Sequence, residues 1–85
     1  MSERFTITED GHEAELTYRV ESDRITLLHT GVPDELGGRG IGGKLVEQAV
    51  AKAREEGLTI VPSCSFAKGW LEKHPEAHEG VTVAA

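Results

Sequence analysis

A single cysteine, Cys64, is the only thiol in this 85-residue chain. One cysteine excludes an internal disulfide framework and suits a reducing, cytoplasmic setting. No apolar run approaches the roughly 18 residues that cross a bilayer, so no membrane partner is expected. The opening Met1-Ser2-Glu3-Arg4 lacks the basic-then-apolar order of a secretion signal. Among the four histidines only His74 and His78 have helical i, i+4 spacing, and they straddle Pro75, so no metal site is expected. Basic residues are in deficit: nine Lys and Arg stand against fifteen Asp and Glu, for a net charge of −6. That balance disfavours nucleic acid, whose binding rests on phosphate neutralisation by cations.

What remains is the composition of a soluble globular protein, with 38% apolar and 28% charged residues. The length implies one domain over 1–85 that buries roughly two thirds of its unfolded surface. Arg4 to Thr8 and Glu13 to Val20 alternate apolar with polar, as strands with one wet face do. Arg24 to Thr30 is a third, more apolar strand. Asp10-Gly11 and Glu21-Ser22-Asp23 supply the turns between them, which predicts an antiparallel meander. Gly31 to Leu36 reads as a loop. From Ile41 the apolar residues Leu45, Val46, Ala49, Val50 and Ala53 fall at helical spacing, and Gly57 ends that helix. Leu58 to Val61 is a short strand ended by Pro62. Ser63 or Ser65 is positioned to cap a last helix carrying Phe66, Trp70 and Leu71, which Pro75 closes. Val81 to Val83 either adds an edge strand or frays. Strand, helix and strand in that order imply a crossover between parallel strands. The expected fold class is therefore α/β, a mixed, mainly antiparallel sheet with two helices.

Gly37 to Gly43 holds five glycines in seven residues at the start of the long helix. Each costs about 0.5–1 kcal/mol against alanine inside a helix, so the run needs a reason. Glycines let main-chain N–H groups approach an anion, and a helix N-terminus adds free donors and the positive dipole end. Arg39 and Lys44 lie in the same stretch, with Lys52 and Arg54 following, so a small polyphosphate meets locally positive charge on an acidic chain. A flexible turn needing positive φ is the plainer alternative. Gly38 to Gly43 spells G-x-G-x-x-G, but Val61-Pro62-Ser63 stands where a dinucleotide fold needs an acid. Gly38 to Lys44 spells G-x-x-x-x-G-K, but Leu45 replaces the Ser or Thr that would hold Mg²⁺.

The stretch Val32 to Leu45 also resembles the acetyl-CoA signature of the GNAT N-acetyltransferase superfamily, R/Q-x-x-G-x-G/A. Within it the chain is similar to the compact single-domain branch. His29-Thr30-Gly31-Val32-Pro33, Val61-Pro62-Ser63-Cys64-Ser65-Phe66 and Trp70-Leu71-Glu72-Lys73-His74-Pro75-Glu76 match that branch in order. The resemblance runs from about Phe5 to Glu76. It implies acetyl-CoA as cosubstrate, an amine as acceptor, and a cofactor grip made by Val32, Gly38, Arg39, Gly40, Ile41, Gly42, Gly43, Lys44 and Phe66. Gly37 departs from the signature's Arg or Gln, which removes one side-chain contact. Trp70 stands where the branch often has tyrosine; indole donates a hydrogen bond but is no phenolic acid.

The same resemblance implies that Cys64 acts in acetyl transfer, as a relay or as a lining of the thioester. At a helix start a thiol has a depressed pKa, though a buried, inert cysteine is as common a reading. His29 is the expected base for Cys64 or for the amine, since both lie at the carboxyl ends of neighbouring parallel strands. The alternative for His29 is a core histidine. The alternative for the whole chain is a non-catalytic module that binds CoA or acyl-CoA. Protein and small-molecule amines are both open as acceptors, and a monomer is expected.

Overall fold

Alternation of apolar and polar residues builds the first half of the chain. The computed structural model describes residues 2–84. In it β1 (Glu3–Glu9), β2 (His12–Glu21) and β3 (Arg24–Gly31) form an antiparallel meander. On β2, Ala14, Leu16 and Tyr18 are buried, while Glu13, Glu15, Thr17 and Arg19 are not. Glu9 pairs with His12 around a two-residue turn in which Asp10 and Gly11 both have positive φ, 51° and 78°. Asp-Gly is the pair that tolerates this turn best. Ser22-Asp23 makes the second tight turn, with Ser22 at φ 54°.

The long helix α1 (Ile41–Glu56) buries the stripe expected from its spacing: Ile41, Leu45, Val46, Ala49, Val50 and Ala53. Gly57 ends it in the left-handed region, φ 69°, and returns its N–H to the Ala53 carbonyl. The chain then enters β4 (Thr59–Pro62), which runs parallel to β3 and completes a sheet of order β1-β2-β3-β4. Helix α2 (Ser65–Lys73) follows, then a 3₁₀ turn over Pro75–His78. Leu16, Ile25, Leu27, Leu36, Leu45 and Ile60 are wholly buried, in one cluster with Ala67 and Leu71 of α2. Both helices therefore cover one face of the sheet, and the face of Glu13, Thr17 and Arg19 is left to solvent. The mixed, mainly antiparallel α/β architecture with two helices is the one expected from the sequence.

Four local features differ from that expectation or sharpen it. The Gly31–Leu36 loop contains a 3₁₀ turn, Asp34–Leu36, whose Leu36 is wholly buried and anchors the glycine segment. The cap position of α2 is taken by Cys64 rather than by Ser63 or Ser65. The end of the chain adds a single parallel bridge, Val83 to Ile60, with the Ile60 N–H on the Thr82 carbonyl at 2.9 Å. Most consequential is a bulge in β3. Tyr18 pairs with Leu27 but Thr17 pairs with His29, so Leu28 has no partner. One extra residue reverses the alternation beyond it.

Candidate active site

The bulge decides which side chains face the site. Uninterrupted alternation would carry His29 to the face of Ile25 and Leu27. After the extra Leu28, His29 instead shares a face with its partner Thr17, and it is exposed. Its Nε2 lies 3.5 Å from where a Cβ of Gly31 would stand, near the Glu15 side chain. Thr30, paired with the buried Leu16, turns to the helix-covered face in its place. The expected His29–Cys64 pair is corrected accordingly: the partner of Cys64 is Thr30, whose Oγ1 is 3.5 Å from Sγ, either group being able to donate. The signal for this was the doublet Leu27-Leu28, where two apolar neighbours break the alternation.

The same end of β3 is also parted from β4. Pairing stops at Leu27 and Pro62, although β3 runs on to Gly31. Pro62 has no N–H to offer the ladder, and the Ser63 N–H turns back onto the Val61 carbonyl at 3.1 Å. Cys64 follows at this splayed end, half-buried, as the cap residue of α2. Burial pushes its thiol up. The Thr30 hydroxyl and the backbone groups of Ala67, Phe66 and Thr30 outweigh that and hold it below the ordinary thiol value. Removing the hydroxyl removes that lowering contribution. Thr30→Val is thus expected to shift the thiol titration to higher pH and to slow alkylation by iodoacetamide at neutral pH. Thr30→Ser should retain the wild-type profile. An unchanged pH–rate profile for Thr30→Val would assign the whole effect to the helix amides.

The glycine segment opens on a cleft of about 390 Å³ lined by Val32, Leu36, Gly37, Gly38, Gly40–Gly43, Phe66 and Trp70. Seven of the nine residues expected to grip a ligand thus come together: Val32, Gly38, Gly40, Ile41, Gly42, Gly43 and Phe66. Leu36, Gly37 and Trp70 join them without having been singled out for that role. The two basic side chains do not line the cleft. Arg39 reaches back to the β1–β2 turn, with Nη1 2.7 Å from Asp10 Oδ2 and 3.2 Å from Glu9 Oε1, and those hydrogen bonds raise its pKa. Lys44 is exposed and makes no ion pair among the described residues. A further cleft of about 280 Å³ lies at the far end of α2, against Pro62, Pro75 and Val83, and holds none of the candidate residues.

The glycines divide into two kinds. Gly38 and Gly40 have positive φ, 80° and 73°, which turns the chain into the helix. Gly42 and Gly43 have ordinary backbone but buried surfaces, because α2 lays its aromatics on them. A Cβ at Gly42 would stand 2.6 Å from Phe66 Cζ, and one at Gly43 would overlap Trp70 Nε1. Packing therefore explains two glycines for which anion approach or a flexible turn was expected. The first helical bond runs from the Lys44 N–H to the Gly40 carbonyl. The N–H groups of Ile41, Gly42 and Gly43 have no partner among the described residues, Gly40 provides no side-chain cap, and the first turn carries no acid. Such a start is suited to an anion.

Among the described residues no group of three or more His, Cys, Asp or Glu is placed to hold a metal ion, and no helix is long and apolar enough to cross a membrane. No curated protein is significantly similar to the chain. The family described as GCN5-related N-acetyl-transferase matches residues 4–80, from β1 through the turn after α2, with the glycine cleft and the splayed strands inside the match. On that coverage the chain belongs to the GCN5-related N-acetyl-transferase family.

Proposed function

We propose that the chain moves an acetyl group from acetyl-CoA to an amine, with the start of α1 gripping the diphosphate of the cosubstrate. The observation that carries this is the trio of unpartnered N–H groups at Ile41, Gly42 and Gly43, opening on a cleft with no acid in the first helical turn. Clustered donors at a positive dipole end fit a diphosphate without any basic side chain in contact. When bound, acetyl-CoA supplies an acetyl group activated as a thioester. Val32 and Phe66, the latter 45% exposed, offer apolar cover for the pantetheine arm. The parted ends of β3 and β4 offer it free main-chain groups. Cys64 stands at that parting, as carrier of the acetyl group or as a wall of the site.

A second reading has its own support. Among the described residues the side-chain hydrogen-bond partner of the Cys64 sulfur is Thr30, and His29 is on the outer face. A site without a nearby base favours a module that binds CoA without turnover. Titration of labelled protein with CoA and acetyl-CoA tests the grip, with amide shifts expected at Gly38 to Lys44. Cys64→Ala is then expected to bind CoA unchanged and to lose transfer by on the order of a hundredfold or more. Full turnover in Cys64→Ala assigns direct attack by the amine. Binding with no acetyl transfer by the wild type assigns the module.

A further inference from the structure

We propose that the indole N–H of Trp70 is a side-chain donor to the anion held at the start of α1. The inference rests on the reading of the glycine segment as a diphosphate cradle, and its test separates the two.

Trp70 is the only tryptophan of the chain and belongs to α2, yet it lines the glycine cleft on α1. It meets Gly43 with its pyrrole edge. A Cβ on Gly43 would overlap Nε1 and come within 3.1 Å of Cε2 and 3.3 Å of Cδ1. Only a residue without a side chain admits the ring this closely. The ring lies against His74, at a centroid distance of 4.4 Å, and packs against the buried core. An indole nitrogen can only donate. Trp70 Nε1 has no hydrogen-bond partner among the described residues, and no unpaired side-chain nitrogen or oxygen among them is buried. The nitrogen therefore keeps some exposure, on a ring that lines the glycine cleft and the neighbouring groove of Ser65, Gly69 and Lys73. An unused donor thus stands against Gly43, whose own N–H is unpartnered among the described residues.

Other side chains are poorly placed for the task. Arg39 is engaged with Asp10 and Glu9, and Lys44 lies outside the cleft lining. Gly37 lines the cleft but has no side chain to offer. An aromatic hydrocarbon at position 70 would fill the same wedge, so shape alone does not call for nitrogen there. A donor aimed at an anion does, and hydrogen bonds to charged acceptors are the strong ones.

The test uses the single indole resonance of the ¹⁵N-labelled wild-type protein. Coenzyme A is expected to move the Trp70 Nε1–H peak downfield and to slow its exchange with water. Pantetheine, which lacks the diphosphate, should leave the peak in place. Trp70→Phe keeps the wedge and removes the donor; it should weaken coenzyme A binding on the order of tenfold and leave pantetheine binding unchanged. If the Gly40 to Gly43 amides respond to coenzyme A while the indole peak stays put, the inference is overturned and the diphosphate cradle stands. If neither responds, both are overturned. The wild-type indole peak decides the matter even where Trp70→Phe fails to fold.

Discussion

Gly43→Val is expected to lower the melting temperature by about 10 °C and to shift the Trp70 emission to the red. The reason is steric and local. A Cβ at Gly43 overlaps the indole nitrogen, so the ring must shift. It lies against His74, tilted by 35° at a centroid distance of 4.4 Å, and packs against the buried core. Overpacking of this kind costs about 1–3 kcal/mol. In a domain of this size 1 kcal/mol shifts the midpoint by about 4–8 °C. The small gain from replacing a helical glycine does not offset that. Gly42→Ala should be milder, because its neighbour Phe66 is 45% exposed and free to rotate outward. Thermal unfolding monitored by tryptophan fluorescence reads both effects at once. The double variant Gly43→Val, Trp70→Ala should be less than additive, since one change removes the atoms that the other collides with. A Gly43→Val protein with wild-type melting and emission would show that the two helices do not meet at this point.

Leu27→Ala should be the most destabilising change in the sheet, and His29→Ala, two residues away, nearly neutral. Leu27 is wholly buried and is the last residue of β3 paired on both sides, to Tyr18 and to Pro62. Truncating a buried leucine costs about 3–5 kcal/mol, in part through the cavity it leaves. The whole domain is worth only about 4–13 kcal/mol by the usual per-residue range. The midpoint should fall by about 15–25 °C or more. His29 is exposed on the outer face, so its truncation should stay within about 0.5 kcal/mol. Urea unfolding of the two variants checks the bulge directly. A strongly destabilised His29→Ala would mean that β3 alternates without interruption and that the histidine points inward.

The thiol adds a dependence on pH that can be separated from stability. Because the Cys64 pKa is lowered in the fold, the thiolate is present at lower pH than for a free cysteine, and the Thr30 contribution is lost when its hydroxyl is removed. The same geometry explains why Thr30 went unnoticed in the sequence. It sits next to His29, a more conspicuous chemical group, and only the register of β3 says which of the two faces inward.

The strands, the helices and the glycine segment were readable because each is written in local periodicity. Alternation marked β1 and β2, an apolar run marked β3, 3.6-residue spacing marked α1, and Gly57 marked its end. The Asp10-Gly11 turn followed from the few residues that accept positive φ at two successive positions. The parallel placement of β4 followed from the order of elements. Leu36 is a different case: nothing in its neighbourhood forecast complete burial, since the reason is the space between α1 and the sheet. The position of Cys64 at the cap of α2 was equally hidden, because two serines flank it and both are better caps on local grounds.

By itself, then, the sequence determined the α/β class, the succession of elements and the collection of glycines ahead of α1, all of which depend on neighbours a few residues apart. The tertiary structure alone decided that Arg39 is tied to the β1–β2 turn, that His29 faces solvent while Thr30 meets Cys64, and that Gly42 and Gly43 are small to admit Phe66 and Trp70. The physical reason is the same in each instance. These outcomes depend on one extra residue in a strand pairing and on contacts across some 25 to 35 positions of sequence, distances at which periodicity carries no information.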